Sequence, residues 1–155
     1  MNGALQLYWD KLRKQRCSLG LMLFKAEVYS TVTEVAARSD AALVDFRDPA
    51  RAMIPAGGRY VDFRPDTLFT ALREAHDSSS SRRVIVQNFD LGVARLKKAD
   101  RDRLWETLLN NFPPNSNAAV ALAMPDEQTA GDLLPPPETL RLWIDSQRVF
   151  RITPV

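Results

Sequence analysis

The chain has 155 residues, 45% of them apolar and 26% charged, which suits one domain with a real hydrophobic core. That composition excludes a disordered tail, a collagen-like repeat and a disulfide-stapled miniprotein. Lys and Arg number 21 against 19 Asp and Glu, so the net charge of +2 is less lopsided than that of a domain saturated with phosphate-binding charge.

In chain order, Ala4, Leu5, Tyr8, Trp9 and Leu12 recur at helical spacing and predict an amphipathic helix within residues 1–18. Lys11, Arg13, Lys14 and Arg16 crowd its end, where cations complement the helix dipole. Gly20 precedes an apolar run over residues 21–24, the first predicted strand. Residues 26–38 read as a helix on the spacing of Val28, Val32, Val35 and Ala36, although VYSTVT is β-branched and would suit a strand. Residues 41–46 are the second strand. Asp48-Pro49 and residues 55–58 mark a loop, and residues 60–63 a short extension.

Asp66 is the expected N-cap of a helix over residues 67–76. Val84-Ile85-Val86 is a continuous apolar strand, as a strand covered on both faces would be. Residues 91–98 follow it as a connection, and Asp100 is the expected N-cap of a helix carrying Leu104, Trp105, Leu108, Leu109 and Phe112. Residues 118–124 form another apolar strand. A proline-rich loop follows to residue 137, then a helix with Leu140, Trp143 and Ile144 inward, then a last strand over residues 149–152. Alternation of strand and helix predicts a single α/β domain, a three-layer sandwich around a mainly parallel sheet.

A single cysteine, Cys17, forms no internal disulfide, and Cys17 with the lone His76 falls short of a structural zinc site. The N-terminal stretch has no signal-peptide pattern and the apolar runs are too short to span a bilayer, so the expectation is a cytoplasmic protein without membrane contact. His76 reads as a helix C-terminal cation and Cys17 as a small, partly buried thiol. Asp45, Asp48 and Asp62 could meet at strand ends around a metal, or serve ordinary turns.

Ligands of such a domain bind at the carboxyl ends of its strands. After the first strand, LFKAEVYSTVT contains no glycine, so side chains stand where a phosphate-wrapping loop needs bare backbone. Lys25 is the one candidate phosphate contact there. After the third strand, Gln87 and Asn88 occupy places where a magnesium-holding carboxylate would be expected, and Asp90 comes late. Asn88 and Asp90 therefore read either as a decayed nucleotide site or as turn organisers.

The second half, VIVQNFDLGVARLKKADRDRLWETLLNNFP, AAVALAMP and LPPPETLRLWIDSQRV, resembles small P-loop-type proteins of bacterial phage-exclusion (BREX-type) gene clusters. The resemblance implies a RecA- or AAA-like core over residues 19–155 and a supporting role in a multi-protein anti-phage system. The missing phosphate loop departs from that pattern. The expected activity is therefore non-catalytic: an accessory protein without a resident cofactor, meeting protein partners through the basic first helix and the proline-rich segment 125–137. The alternatives are an ATPase binding ATP and Mg²⁺ through Lys25 and Asp90, a self-associating subunit, and a nucleic-acid-binding accessory subunit. For the last, five cations against Asp10 place +4 in residues 1–25 and leave −2 for the rest. Lys11, Arg13, Lys14 and Arg16 are then the phosphate contacts.

Overall fold

The computed structural model describes residues 3–25, 31–54, 58, 63–112, 118–126 and 133–152. Its elements are α1 (Gly3–Arg13), β1 (Leu19–Phe24), α2 (Thr31–Arg38), β2 (Ala42–Asp45), α3 (Arg47–Ala52), α4 (Pro65–Asp77), β3 (Arg83–Gln87), α5 (Phe89–Val93), α6 (Lys98–Asn111), β4 (Ala119–Pro125), α7 (Pro137–Asp145) and β5 (Val149–Arg151). The five strands form one sheet in the order β2-β3-β4-β1-β5, and every pairing is parallel.

Two cores flank the sheet. Alternation along each strand sends Leu21, Val84, Val86, Val120 and Leu122 to one face and Met22, Ile85 and Ala121 to the other. The first face is covered by α3, α4, α5, α6 and α7, the second by α1 and α2. Strand order explains this division. The step from β1 to β2 runs across the sheet one way, and the later steps run back the other way. Crossovers of one hand then place their helices on opposite faces. The three-layer α/β arrangement read from the sequence is the observed one.

Each core has a distinct internal logic. On the α1 side, β4 presents only Ala119, Ala121 and Ala123, and this low surface accommodates Tyr8 and Trp9. The Tyr8 hydroxyl donates to the Leu21 carbonyl at 3.1 Å, and Trp9 Nε1 donates to Ser39 Oγ at 3.0 Å. Gly20 permits the approach: a Cβ there would lie 2.5 Å from the Tyr8 hydroxyl and 2.7 Å from the Arg148 carbonyl oxygen. On the opposite face a chain of edge-on aromatic contacts runs Phe46–Phe89–Trp105–Trp143, with centroids 5.1, 6.0 and 6.2 Å apart.

Arg148 closes that chain. Its guanidinium sits 4.2 Å from the Trp143 ring centroid. It donates to the carbonyls of Leu19 at 2.7 Å, Leu109 at 2.9 Å and Leu108 at 3.4 Å. The last two belong to the final turns of α6, which has no basic residue of its own at that end. The buried cation therefore caps α6, satisfying carbonyls that the helix leaves unbonded. Burial pulls the Arg148 pKa below its ordinary value, and Cys17 and Tyr8 nearby oppose that shift.

Several local expectations are corrected. Asp48-Pro49 lies inside α3 rather than in a loop, because a proline in a first turn removes an N–H that has no helical partner anyway. Residues 89–93 are the helix α5, so Asp90 sits in a first turn. The N-caps are Arg64 and Lys97 rather than Asp66 and Asp100. Both aspartates lie in the first turn instead, where a negative charge still meets the dipole. Ile144 is 47% exposed, and Trp143 alone on α7 is fully buried. Helix α1, expected as a partner surface, packs its apolar flank into the core through Leu5, Tyr8, Trp9 and Leu12. Residues 26–30, 60–62 and 127–132 lie outside the described residues, so expectations for Val28, for Asp62 and for most of the proline-rich loop fall there.

Candidate functional site

The connections leaving β1 and β4 pass to opposite faces of the sheet, and the two strands are neighbours. Their carboxyl ends are therefore the topological switch point, where a ligand crevice opens in such sheets. The Asp126 N–H extends the ladder by donating to the Phe24 carbonyl at 2.6 Å. Lys25 follows immediately and is exposed. The Asp126 carboxylate, at the end of β4, is hydrogen-bonded by the Arg151 guanidinium at the end of β5. Because β1 lies between β4 and β5, this ion pair reaches past the end of β1, where the connection toward α2 begins.

The ends of β2 and β3 form a second cluster. Arg47 grips the Asp45 carboxylate in a two-pronged pair, Nε to Oδ1 at 3.0 Å and Nη2 to Oδ2 at 2.6 Å, while its backbone N–H donates to Oδ1 at 3.0 Å. The side-chain amide of Asn88 also hydrogen-bonds Asp45. Hydrogen bonding by Arg47 dominates, and it pulls the Asp45 pKa down to about 2. Asn88 has φ of +65°, a left-handed conformation that asparagine tolerates because its short side chain bonds locally. It thus turns the chain into α5 and ties β3 to β2. Asp90 is half-buried, and burial raises its pKa.

The three nucleotide-type candidates are thus spread along one edge rather than gathered. Asn88 follows β3 and Lys25 follows β1, with β4 between them, so their strands stand about 10 Å apart. Asp48 pairs with Arg51 at 3.5 Å instead of approaching Asp45. Among the described residues no group of three or more His, Cys, Asp or Glu side chains converges as a metal site would. Cys17 is buried in the helix-covered core. His76 lies in the last turn of α4, with Nδ1 2.7 Å from Asp77 Oδ1 and its ring edge-on to Phe112.

The basic residues of the first segment also separate. Lys11 and Arg13 are two residues apart on a helix, about 200° of rotation, so they occupy opposite flanks of α1. Arg13 faces a groove of about 400 Å³ at the other end of the sheet, beside the first residues of β3 and β4. Lys14 and Arg16 are exposed and do not line it. The groove is lined instead by Arg82 and Arg83, which lead into the apolar stretch of β3. Adjacent arginines ahead of an apolar strand were the available signal. The Asp126–Arg151 pair and the buried Arg148 carried no such signal, since their partners lie far along the chain.

No helix among the described residues is long and apolar enough to cross a membrane. Compared with protein-family models and with curated proteins, the sequence matches none.

Proposed function

We propose that this chain is a P-loop-like domain that acts by binding other subunits rather than by hydrolysing nucleotide, as an accessory protein of a bacterial multi-protein anti-phage system. Two features support a RecA- or AAA-like core: the all-parallel sheet, and the placement of β4 between β1 and β3, which is the strand order of such cores. The observation that carries the non-catalytic part is the ion pair between Asp126 and Arg151 across the end of β1. It neutralises the carboxylate nearest the switch point, and the glycine-free connection after Phe24 leaves side chains where phosphates would need bare N–H groups. Asn88, the other polar group at a central strand end, is engaged with Asp45. For partner contact, α7 presents Leu142 and Ile144 to solvent directly after the proline-rich segment.

The test has two arms. Titration calorimetry with ATP and Mg²⁺ should give no binding heat that Lys25→Ala removes, and ATPase assays of wild type, Lys25→Ala and Asp90→Ala should give equal background turnover. In cells carrying the neighbouring genes, deletion of this chain should abolish phage restriction, while Lys25→Ala and Asp90→Ala should retain it. Tight ATP binding lost in Lys25→Ala, with restriction lost in parallel, would establish the ATPase reading instead.

A further inference from the structure

We infer that the groove at the amino-terminal edge of the sheet is a binding site for a small phosphorylated molecule of mononucleotide size. Its volume of about 400 Å³ lies within the range of small-ligand sites. Three guanidinium-bearing residues line it from separate elements: Arg13 from α1, Arg83 from the start of β3, and Arg82 just before that strand. Arg83 is preorganised, donating to the Ser39 carbonyl at 2.9 Å with its guanidinium 5.9 Å from the Trp9 ring centroid. Arg13 and Arg82 are exposed, and neither side chain has a hydrogen-bond or ion-pair partner among the described residues. Two such arginines, Arg13 and Arg82, on one groove beside the anchored Arg83 suit a phosphate dianion, whose oxygens accept several charge-assisted bonds at once.

The other charges select the ligand further. Asp10 and Asp40 also line the groove, and Asp10 already accepts from Gln6 Nε2 at 2.8 Å. Carboxylates sharing the groove with the arginines repel a continuous phosphate backbone laid along it. They suit hydroxyl or amino donors on a compact molecule whose single phosphate sits on the arginines. A phosphomonoester on a nucleoside has both features. The same chemical group also occurs at the 5′ end of a nucleic-acid strand, and the test distinguishes the two sources. The site is at the opposite end of the strands from Lys25, so it stands apart from the reading above.

The experiment is titration calorimetry on the full chain with AMP, adenosine, inorganic phosphate, and an oligonucleotide with and without a 5′-phosphate. AMP should bind, adenosine should not, and inorganic phosphate should compete with AMP. Arg13→Gln and Arg82→Gln should each weaken AMP at least about 10-fold, which is 1.4 kcal/mol, and Lys14→Gln should leave it unchanged. Both arginines are exposed, so thermal melts of the variants should match wild type. AMP binding, together with tighter and competing binding of the 5′-phosphorylated oligonucleotide but not of its unphosphorylated counterpart, would keep the site and assign the strand end as its source. Three results would overturn the inference: no AMP binding up to about 1 mM, equal binding of AMP and adenosine, or equal binding of the two oligonucleotides. AMP binding lost in Lys25→Ala but kept in Arg82→Gln would place the ligand at the other edge and overturn the inference.

Discussion

Replacing Arg148 with methionine tests whether this buried cation holds the fold together or burdens it. The residue is 4% exposed, and each hydrogen bond found for its guanidinium ends on a backbone carbonyl, of Leu19, Leu108 or Leu109. Methionine fills similar volume without donors. Two effects then compete. Removing a desolvated charge is favourable, and apolar replacements of buried ionic groups are often neutral or stabilising. Against this, the acceptors belong to fixed backbone and cannot be replaced with the side chain. Each acceptor left unsatisfied costs about 1–3 kcal/mol. Loss of the desolvated contact with Trp143 costs about 2 kcal/mol more. The second group of effects wins, with a net loss of about 3 kcal/mol after the relief of desolvation. For a chain of this length that corresponds to a fall in Tm of about 10 °C. Calorimetric or circular-dichroism melts would measure it. Arg148→Lys, which keeps the charge but not the fork of donors, should fall between wild type and the methionine variant. A methionine variant as stable as wild type, or more so, would refute the reasoning and make Arg148 a tolerated liability.

Two further outcomes follow from particular contacts. Gly20→Ala places a methyl group 2.5 Å from the Tyr8 hydroxyl and 2.7 Å from the Arg148 backbone oxygen just before β5, so both Tyr8 and the backbone entering β5 must give way. The expected cost is about 2–3 kcal/mol, read in urea unfolding as a lower midpoint with an unchanged slope. Asp45 has its folded pKa lowered to about 2, below the ordinary carboxylate value. Its contribution is therefore complete above about pH 4 and is lost as pH falls toward 2. The pair is partly solvated, so the contribution is about 0.5–1 kcal/mol. Asp45→Asn should remove that much at neutral pH and flatten this part of the acid limb, and an identical acid limb in both proteins would contradict it.

Local pattern made much of the architecture legible. The apolar runs around Val84–Val86 and Ala119–Met124 become the inner strands β3 and β4, and the stripe Leu5, Tyr8, Trp9, Leu12 becomes the buried flank of α1. The ambiguous stretch after residue 30 resolves as the helix α2, whose Val32, Val35 and Ala36 are buried. The short helices α3 and α5 were not legible, because Asp48-Pro49 and Asn88-Phe89-Asp90 carry turn chemistry that also suits helix starts. The candidate site was legible only in part. Lys25 and Asn88 do stand at strand ends, but what each can do depends on neighbours from other segments.

What the amino-acid order determined alone was therefore the kind of each element and the apolar flank it buries. Those preferences arise between residues two to four positions apart, within reach of a single turn or pleat. Strand order, the division of helices between faces, the bridge from Arg151 to Asp126 and the capping of α6 by Arg148 were decided only by tertiary packing. Arg148 reaches Leu19 across 129 positions of sequence, and Arg151 reaches Asp126 across 25. No local periodicity spans such separations; both contacts close only when the sheet assembles, and for the buried Arg148 no water is left as an alternative partner.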